Sequence, residues 1–297
     1  MFNTFNIDTV YHAAAYKHVP LVEENICEGV KNNVFGTFIL AEAVLKYNVS
    51  NFVLISTDKA VRSTNIMGAS KRLAEICVQS LYDNQNQQSK FAIVRFGNVL
   101  QSSGSVIPKF KQQIKEGGPV TLTHPDVTRY FMTIAEASQL VIQAGAMAEK
   151  CEVYVLDMGE SVKIKDLIEK MIKLSGLSIK NDKNLDGDIE IKITGLRPGE
   201  KLYEELLIGD NPQKTFHEKI QKAEDPFIPF NKLKIDLDYL SSLIEENKVA
   251  EVKHIMLNLA TSYQSNSEIV DHFYEQQSKL KKSLSSSKNV NDKNKVI

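Results

Sequence analysis

The sequence predicts an α/β chain built on a parallel sheet covered on both faces, with a smaller α+β lobe beside it. Three observations predict it. Short runs rich in Val, Ile, Phe or Tyr alternate with longer stretches of helical period. The runs are apolar almost throughout, as in strands buried on both faces. Of the 297 residues, 42% are hydrophobic and 25% charged, a balance that supplies one large domain or a large and a small one.

The strands are read at residues 7–13 (IDTVYHA), 51–56 (NFVLIS), 91–96 (FAIVRF) and 152–156 (EVYVL). Between them, residues 22–47 keep Ile26, Val30, Val34, Phe38 and Ala41 near one helical face. Residues 67–82 do the same with Leu73, Ile76, Cys77, Ser80 and Leu81. Residues 104–116 and 134–149 form two more helices. From about 158 to 233 the pattern changes to a helix (163–175), a charged strand (IEIKI, 189–193) and the turn Arg197-Pro198-Gly199, which reads as the smaller lobe. Residues 234–262 hold one or two amphipathic helices. From about 276 the chain is Ser, Lys and Asn and reads as a disordered tail. The expected division is therefore 1–157, 158–233 with contributions from 95–130, 234–275 and 276–297. No internal repeat is present.

Composition removes several function classes. Thirty-six Lys and Arg against 37 Asp and Glu leave a formal net charge of −1, which points away from nucleic acid and anionic membrane surfaces. Cys27, Cys77 and Cys151 are far apart, with no CxxC pair and no His cluster, so neither a metal site nor a disulfide framework is expected. No apolar run approaches the ~18 residues of a membrane span, and Met1-Phe2-Asn3-Thr4 lacks the basic start of a signal peptide. A cytoplasmic chain is expected.

Ser56-Thr57-Asp58-Lys59-Ala60 follows a buried strand, and in an open parallel sheet such carboxyl ends face the ligand crevice. Met67-Gly68-Ala69-Ser70-Lys71 then opens a helix, with positions 67 and 71 on one face. Arg95-Phe96-Gly97-Asn98-Val99-Leu100 ends the next strand. Gly195-Leu196-Arg197-Pro198-Gly199-Glu200-Lys201 comes later, with Glu204 and Glu205 behind it; its Arg197 is suited to phosphate. Each alone is weak, since Arg-Pro-Gly is also an ordinary turn.

Together they resemble a known family. The segments HAAAYKHVPLVE (12–23), NNVFGT (32–37), STDKAVRSTNIMGASK (56–71), RFGNVLQSSGSVIPKF (95–110), TRYFMTI (128–134) and GLRPGEKLYEELL (195–207) occur in the order of the extended short-chain dehydrogenase/reductases. Within that family they are similar to the CapD-type polysaccharide biosynthesis proteins, the UDP-N-acetylglucosamine 4,6-dehydratase branch. The resemblance implies a doubly wound (Rossmann-like) sheet holding NADP or NAD and a UDP-sugar under the smaller lobe. It also implies a reaction in which hydride leaves C4, water is eliminated across C5 and C6, and hydride returns to C6.

By that resemblance Lys59 takes the C5 proton, which requires its amine to be neutral, with desolvation or a cationic neighbour lowering its pKa. Asp58 protonates the departing C6 hydroxyl, and Thr57 hydrogen-bonds the C4 oxygen. Lys71 matches the lysine that holds the nicotinamide ribose. Where most relatives carry a tyrosine base, this chain has Met67, whose thioether accepts no proton at neutral pH; some larger members also carry Met. The C4 proton acceptor is left open among Thr57, Lys59 and a water. His12, Ala13 and Ala14 end the first strand beside the cofactor, His12 chiefly as a hydrogen-bonded structural residue. Tyr16, Lys17 and His18 border the sugar, and Asn33 organises the interior of its helix. Asn98 and Arg129 contact the UDP-sugar, Arg197 clamps the diphosphate, and Glu200 receives the uridine ribose.

No GxxGxxG or GxGxxG stands in the chain, where the family places a phosphate-cradling glycine loop after its first strand. The resemblance therefore predicts a partial sheet lacking its first strands, whose strand 7–13 is a free edge, and weak NADP or NAD binding by this chain alone. An upstream polypeptide completing the sheet and a second copy of the chain are the protein partners to expect. Full-length Met-type members carry upstream membrane helices that would anchor them at the inner membrane. The function expected is a UDP-sugar 4,6-dehydratase, incomplete as this chain. The alternatives are a non-catalytic nucleotide-sugar-binding fragment and a UDP-sugar 4-epimerase, which relies on tyrosine at position 67 and needs no Asp-Lys pair.

Overall fold

A computed structural model describes residues 1–84, 88–205, 212–261, 263–265 and 268–280. The predicted strands form β1 (Thr9–His12), β2 (Asn51–Ile55) and β3 (Lys90–Arg95). After them come the short β4 (Asn98–Val99), β5 (Val120–Leu122), β6 (Thr128–Arg129) and β7 (Phe131–Met132), then β8 (Cys151–Leu156). β9 (Val162–Lys163), β10 (Ile179–Lys180) and β11 (Ile189–Ile193) follow, and β12 (Gln213–Lys214) and β13 (Ile220–Ala223) close the series. The main sheet runs β1-β2-β3-β8-β13-β12, its first four strands parallel. The last two are antiparallel. These two come from the stretch assigned to the lobe. Ile220 pairs with Leu156 and is fully buried, so β13 covers the apolar edge of β8.

Among the described residues β1 pairs only with β2, through Thr9–Asn51 to His12–Leu54, and forms the sheet edge. The stretch 22–47 is not one helix. It opens as α1 (Val19–Glu23) and α2 (Ile26–Val30), parted at Asn25 with φ −142°, and passes through a π turn at Lys31–Phe35 into α3 (Gly36–Lys46). The other helices are α4 (Ile66–Asp83), α5 (Val106–Lys115), α6 (Ile134–Met147), α7 (Ile164–Leu174), α8 (Phe230–Glu245) and α9 (Val249–Leu259). None of the described helices is long and apolar enough to cross a membrane.

One core joins α2–α4, α8 and α9 to one sheet face around Phe52, Leu54, Phe91 and Ile93; α6 packs Leu140 and Ala144 on the other, against Val53 and Val94. Helices thus cover both faces. A third core around Phe110, Ile114, Ile168 and Ile189 holds α5 and α7 to the three-stranded sheet β10-β11-β5, which forms the lobe. Part of the expected tail, residues 276–280, is helical. Residues 272–280 are helical because Asp271 caps them through the Phe273 and Tyr274 N–H groups and binds Ile26 N–H; the expected disorder at 281–297 lies outside the described residues.

α4 is buried on every side through Leu81, including Ser70, Lys71, Arg72 and Glu75: α8 and α9 pack on it in the first core, and Asp225, Pro226 and Thr261 close over Arg72. Arg72 and Glu75 are satisfied internally. Glu75 accepts from Ser56 Oγ, from Arg95 Nε at 2.8 Å and from Arg72 at 3.0 Å, and Asp225 pairs with both arginines. The first turn of α4 lies so close to the preceding segment that a Cβ at Gly68 would sit 2.1 Å from the Lys59 carbonyl oxygen. Gly68→Ala is therefore expected to lose about 1–3 kcal/mol of stability, read as a lowered urea midpoint at unchanged slope.

Candidate active site

The site lies at the carboxyl ends of β1, β2 and β3, where the loops leave the sheet. After β2 the chain makes a 3₁₀ turn over Asp58–Ala60 whose N-cap is Thr57. Thr57 Oγ1 accepts from the Lys59 N–H at 3.3 Å and donates to Asp58 Oδ1 at 2.9 Å. Ser63 Oγ donates to the Lys59 carbonyl, fixing the far side of the turn.

Asp58 is buried. Its Oδ1 receives Thr57 and Lys59 Nζ, both at 2.9 Å, while Oδ2 has no hydrogen-bond partner. A Cβ at Gly97 would lie 3.1 Å from that oxygen, so the glycine leaves it room. Lys59 Nζ also donates to Asn98 Oδ1 at 3.3 Å and lies 3.6 Å from Glu204 Oε1. Burial alone would depress the Lys59 pKa. The Asp58 and Glu204 carboxylates outweigh it and hold the amine above the ordinary lysine range. This reverses the expected direction: at rest Lys59 is an ammonium.

Two cavities meet at this turn. One, of about 400 Å³, is lined by Ala13, Ala15, Tyr16, Thr57, Met67 and Lys71. The other, of about 300 Å³, is lined by Lys109, Thr123, Arg129, Arg197, Glu200 and Glu204. Lys17, His18, Lys59 and Asn98 line both, so the cavities form one cleft with Lys59 at the junction.

In the first cavity, Lys71 Nζ has no hydrogen-bond or ion-pair partner among the described residues, and burial, partly offset by Glu75, lowers its pKa to about 8. Met67 sits one turn earlier on the same face. Ala14 is exposed and does not line the cavity; its carbonyl accepts from Asn32. His12 is buried away from the cavity lining, 2.9 Å from Thr37 Oγ1. Because the Thr37 hydroxyl donates to the Asn33 carbonyl, His12 Nε2 must be the donor. Burial, then Lys71, lowers its pKa to about 4, so the ring is neutral at pH 7. Asn33 reaches out of its π turn to the backbone of Tyr16 and to Ser70 Oγ, tying α4 to the β1 loop.

In the second cavity, Arg129 spends its donors on the Thr128, Leu202 and Lys201 carbonyls and on Glu200. Glu200 accepts from Thr123 at 2.9 Å and from the Arg197 N–H at 3.1 Å, which closes the Arg-Pro-Gly turn. The exposed Arg197 lines the mouth opposite Lys109, whose pKa falls through burial and then this neighbour. The turn is latched to the catalytic side: Thr64 Oγ1 and Asn65 Nδ2 both donate to the Gly199 carbonyl, and Asn65 Oδ1 caps α4 at Gly68. Glu204, buried 3.6 Å from Lys59 Nζ, is the cleft residue to which sequence reasoning gave no role; an adjacent Glu-Glu pair is its only signal.

The sequence profile of the family described as polysaccharide biosynthesis protein matches residues 1–225. Capsular polysaccharide biosynthesis protein CapD of Staphylococcus aureus is 53% identical over 80% of this chain, which spans 38% of that protein. A UDP-glucose 4-epimerase of Rickettsia bellii is 34% identical over 86% of this chain and 75% of its own. The X-ray structure of Pen from Bacillus thuringiensis aligns with a TM-score of 0.67 at 36% identity, covering 75% of this chain and 67% of that one.

Proposed function

Because the chain belongs to the polysaccharide biosynthesis protein family, we propose that it carries the water-eliminating centre of a UDP-N-acetyl sugar 4,6-dehydratase. One observation carries the reading. Lys59 stands at the junction of two cavities, and behind it the buried Asp58 commits one oxygen to Lys59 and leaves the other unpartnered.

The first cavity suits the nicotinamide end of NADP or NAD. Ala13 and Ala15 leave space there, and the partnerless Lys71 amine would hold ribose hydroxyls. When bound, that group supplies reversible hydride acceptance from the sugar. With a ketone at C4, the C5 hydrogen becomes acidic. Lys59, as the amine, takes that proton, and Asp58, as the acid, gives a proton to the C6 hydroxyl, which leaves as water. Thr57, already donating to Asp58, orients the carboxyl. The base and acid forms this needs are the neutral tautomer of the resting ion pair, with the proton shifted from Nζ to Asp58. Elimination returns Lys59 to ammonium and Asp58 to carboxylate; when hydride returns to C6 the Lys59 ammonium reprotonates C5, and the proton released from the C4 hydroxyl restores the proton count of the pair.

In the second cavity Arg197 and Lys109 face a diphosphate, and Asn98 faces the sugar. Arg129 shapes this wall instead of offering a free cation, since carbonyls and Glu200 use its donors. An epimerase reading, prompted by the Rickettsia bellii relative, fits less well. Epimerisation requires no elimination and hence no Asp58–Lys59 pair, and Met67 cannot serve as its proton acceptor.

The test is mass spectrometry of UDP-N-acetylglucosamine incubated with the purified chain and NADP or NAD. It is run alone and with a separately expressed N-terminal segment of a relative, because the chain spans 38% of CapD. Loss of one water in either arm is the expected result. Conserved mass with a changed C4 configuration would establish epimerisation, and no change with the complex formed would leave a binding module.

A further inference from the structure

Glu204 reaches the cleft from the segment behind the Arg-Pro-Gly turn, not from the main sheet. It is buried, with Oε1 3.6 Å from Lys59 Nζ and 3.7 Å from Arg129 Nε. The groups facing it are Asp58 and Lys59 from the turn after β2, Arg129 from β6 and Lys201 from its own segment. Glu200 lies on the far side of Arg129. Lys59 therefore has a carboxylate on each side, Asp58 at 2.9 Å and Glu204 at 3.6 Å. The two are not equivalent, since only Asp58 is hydrogen-bonded to the ammonium.

We propose that Glu204 is a positioning residue for Lys59: as a carboxylate it holds the side chain as an ammonium, and as the neutral acid it lets the amine form. The catalytic consequence rests on the dehydratase reading; the charge coupling itself does not. Forming the amine breaks an N–H bond on Nζ and makes an O–H bond on Asp58, and no proton enters or leaves the site. An anionic Glu204 stabilises the starting ammonium and opposes that transfer, while a neutral one removes the opposition. Burial and the Asp58 charge favour the neutral acid, Lys59, Arg129 and Lys201 favour the anion, and the balance lies above the ordinary carboxylate range. The rate of water loss is thus expected to fall as pH rises through the Glu204 titration.

The experiment is competitive acetylation of the unliganded chain with acetic anhydride across pH, following the Lys59 peptide by mass spectrometry. Lys59 lines both cavities and its side chain is 18% exposed, so a small reagent reaches it. In Glu204→Gln the Lys59 midpoint is expected to fall by about one pH unit, an acetylation rate about tenfold higher at a fixed pH below the midpoint. Glu204→Asp, which keeps the charge but withdraws it by one methylene, is expected to fall between the two. An unmoved midpoint in a folded Glu204→Gln chain overturns the proposal, as does an unmoved midpoint in Glu204→Asp if the glutamine variant does not fold. In the dehydration assay Glu204→Gln is expected to lose the alkaline decline of kcat. Absence of water loss with a shifted midpoint would sink the dehydratase reading and leave the coupling standing.

Discussion

Asp58→Asn is expected to lower kcat for water loss by about 10²–10⁴-fold, the range for removing a positioned general acid. Asparagine keeps the size of the side chain and can still accept from Lys59, so the geometry of the turn persists. It has no proton to give to the C6 hydroxyl. Removing carboxylate charge beside Lys59 also frees the amine, so the first half of the reaction should proceed. The diagnostic is therefore C5 exchange: in deuterated water, the variant should exchange the C5 hydrogen of the bound 4-keto sugar while releasing almost no water. A variant that eliminates water at a rate near the parent's would transfer the acid role away from Asp58. Lys59→Ala should lose both exchange and elimination, which separates the two residues by measurement.

The second large effect is expected far from the substrate. Glu75→Gln should destabilise the fold by about 3–5 kcal/mol, because it leaves Arg72 and Arg95 buried beside a single remaining carboxylate. Arg95 already has one buried Nη1 without a partner, so the network is short of acceptors for it before any is removed. Burial raises the Glu75 pKa, but the Arg95 and Arg72 charges overcome it and hold it near 2, below its ordinary 4.5. A depressed carboxyl contributes stability that is fully present above 4.5 and lost as pH falls toward 2. Its size is about 3 kcal/mol. Urea midpoints at a series of acidic pH values should fall through this window in the parent chain and less in Glu75→Gln. A parallel acid decline in both chains would remove Glu75 as its cause.

The four parallel strands were legible because their Val, Ile and Phe runs are apolar on both faces, which only a doubly covered sheet requires. β12 and β13 were not, since Gln213-Lys214 and Ile220-Gln221-Lys222-Ala223 carry one large apolar residue between them. Arg72 and Glu75 fall off the apolar face of α4, and helical periodicity places them in water. Asp225 and Pro226, ahead of α8, and Thr261, behind α9, cover Arg72 from far along the chain. At the site, the strand-end logic located Thr57, Asp58 and Lys59. It gave the wrong direction for the Lys59 amine because the adjacent Asp58, joined by the remote Glu204, outweighs the burial that would depress it. Glu204 and Glu205 are neighbours of identical chemistry, yet the first is buried against Lys59 and the second is exposed and paired with Arg62. Only tertiary packing tells them apart.

Asn65 holds the Gly199 carbonyl with one end of its amide and the first turn of α4 with the other. The residue works as a mechanical pin between the Arg-Pro-Gly turn and the helix that presents Met67 and Lys71. A swing of the turn that draws Asn65 with it uncaps that helix, so loosening on one side of the cleft is transmitted to the other.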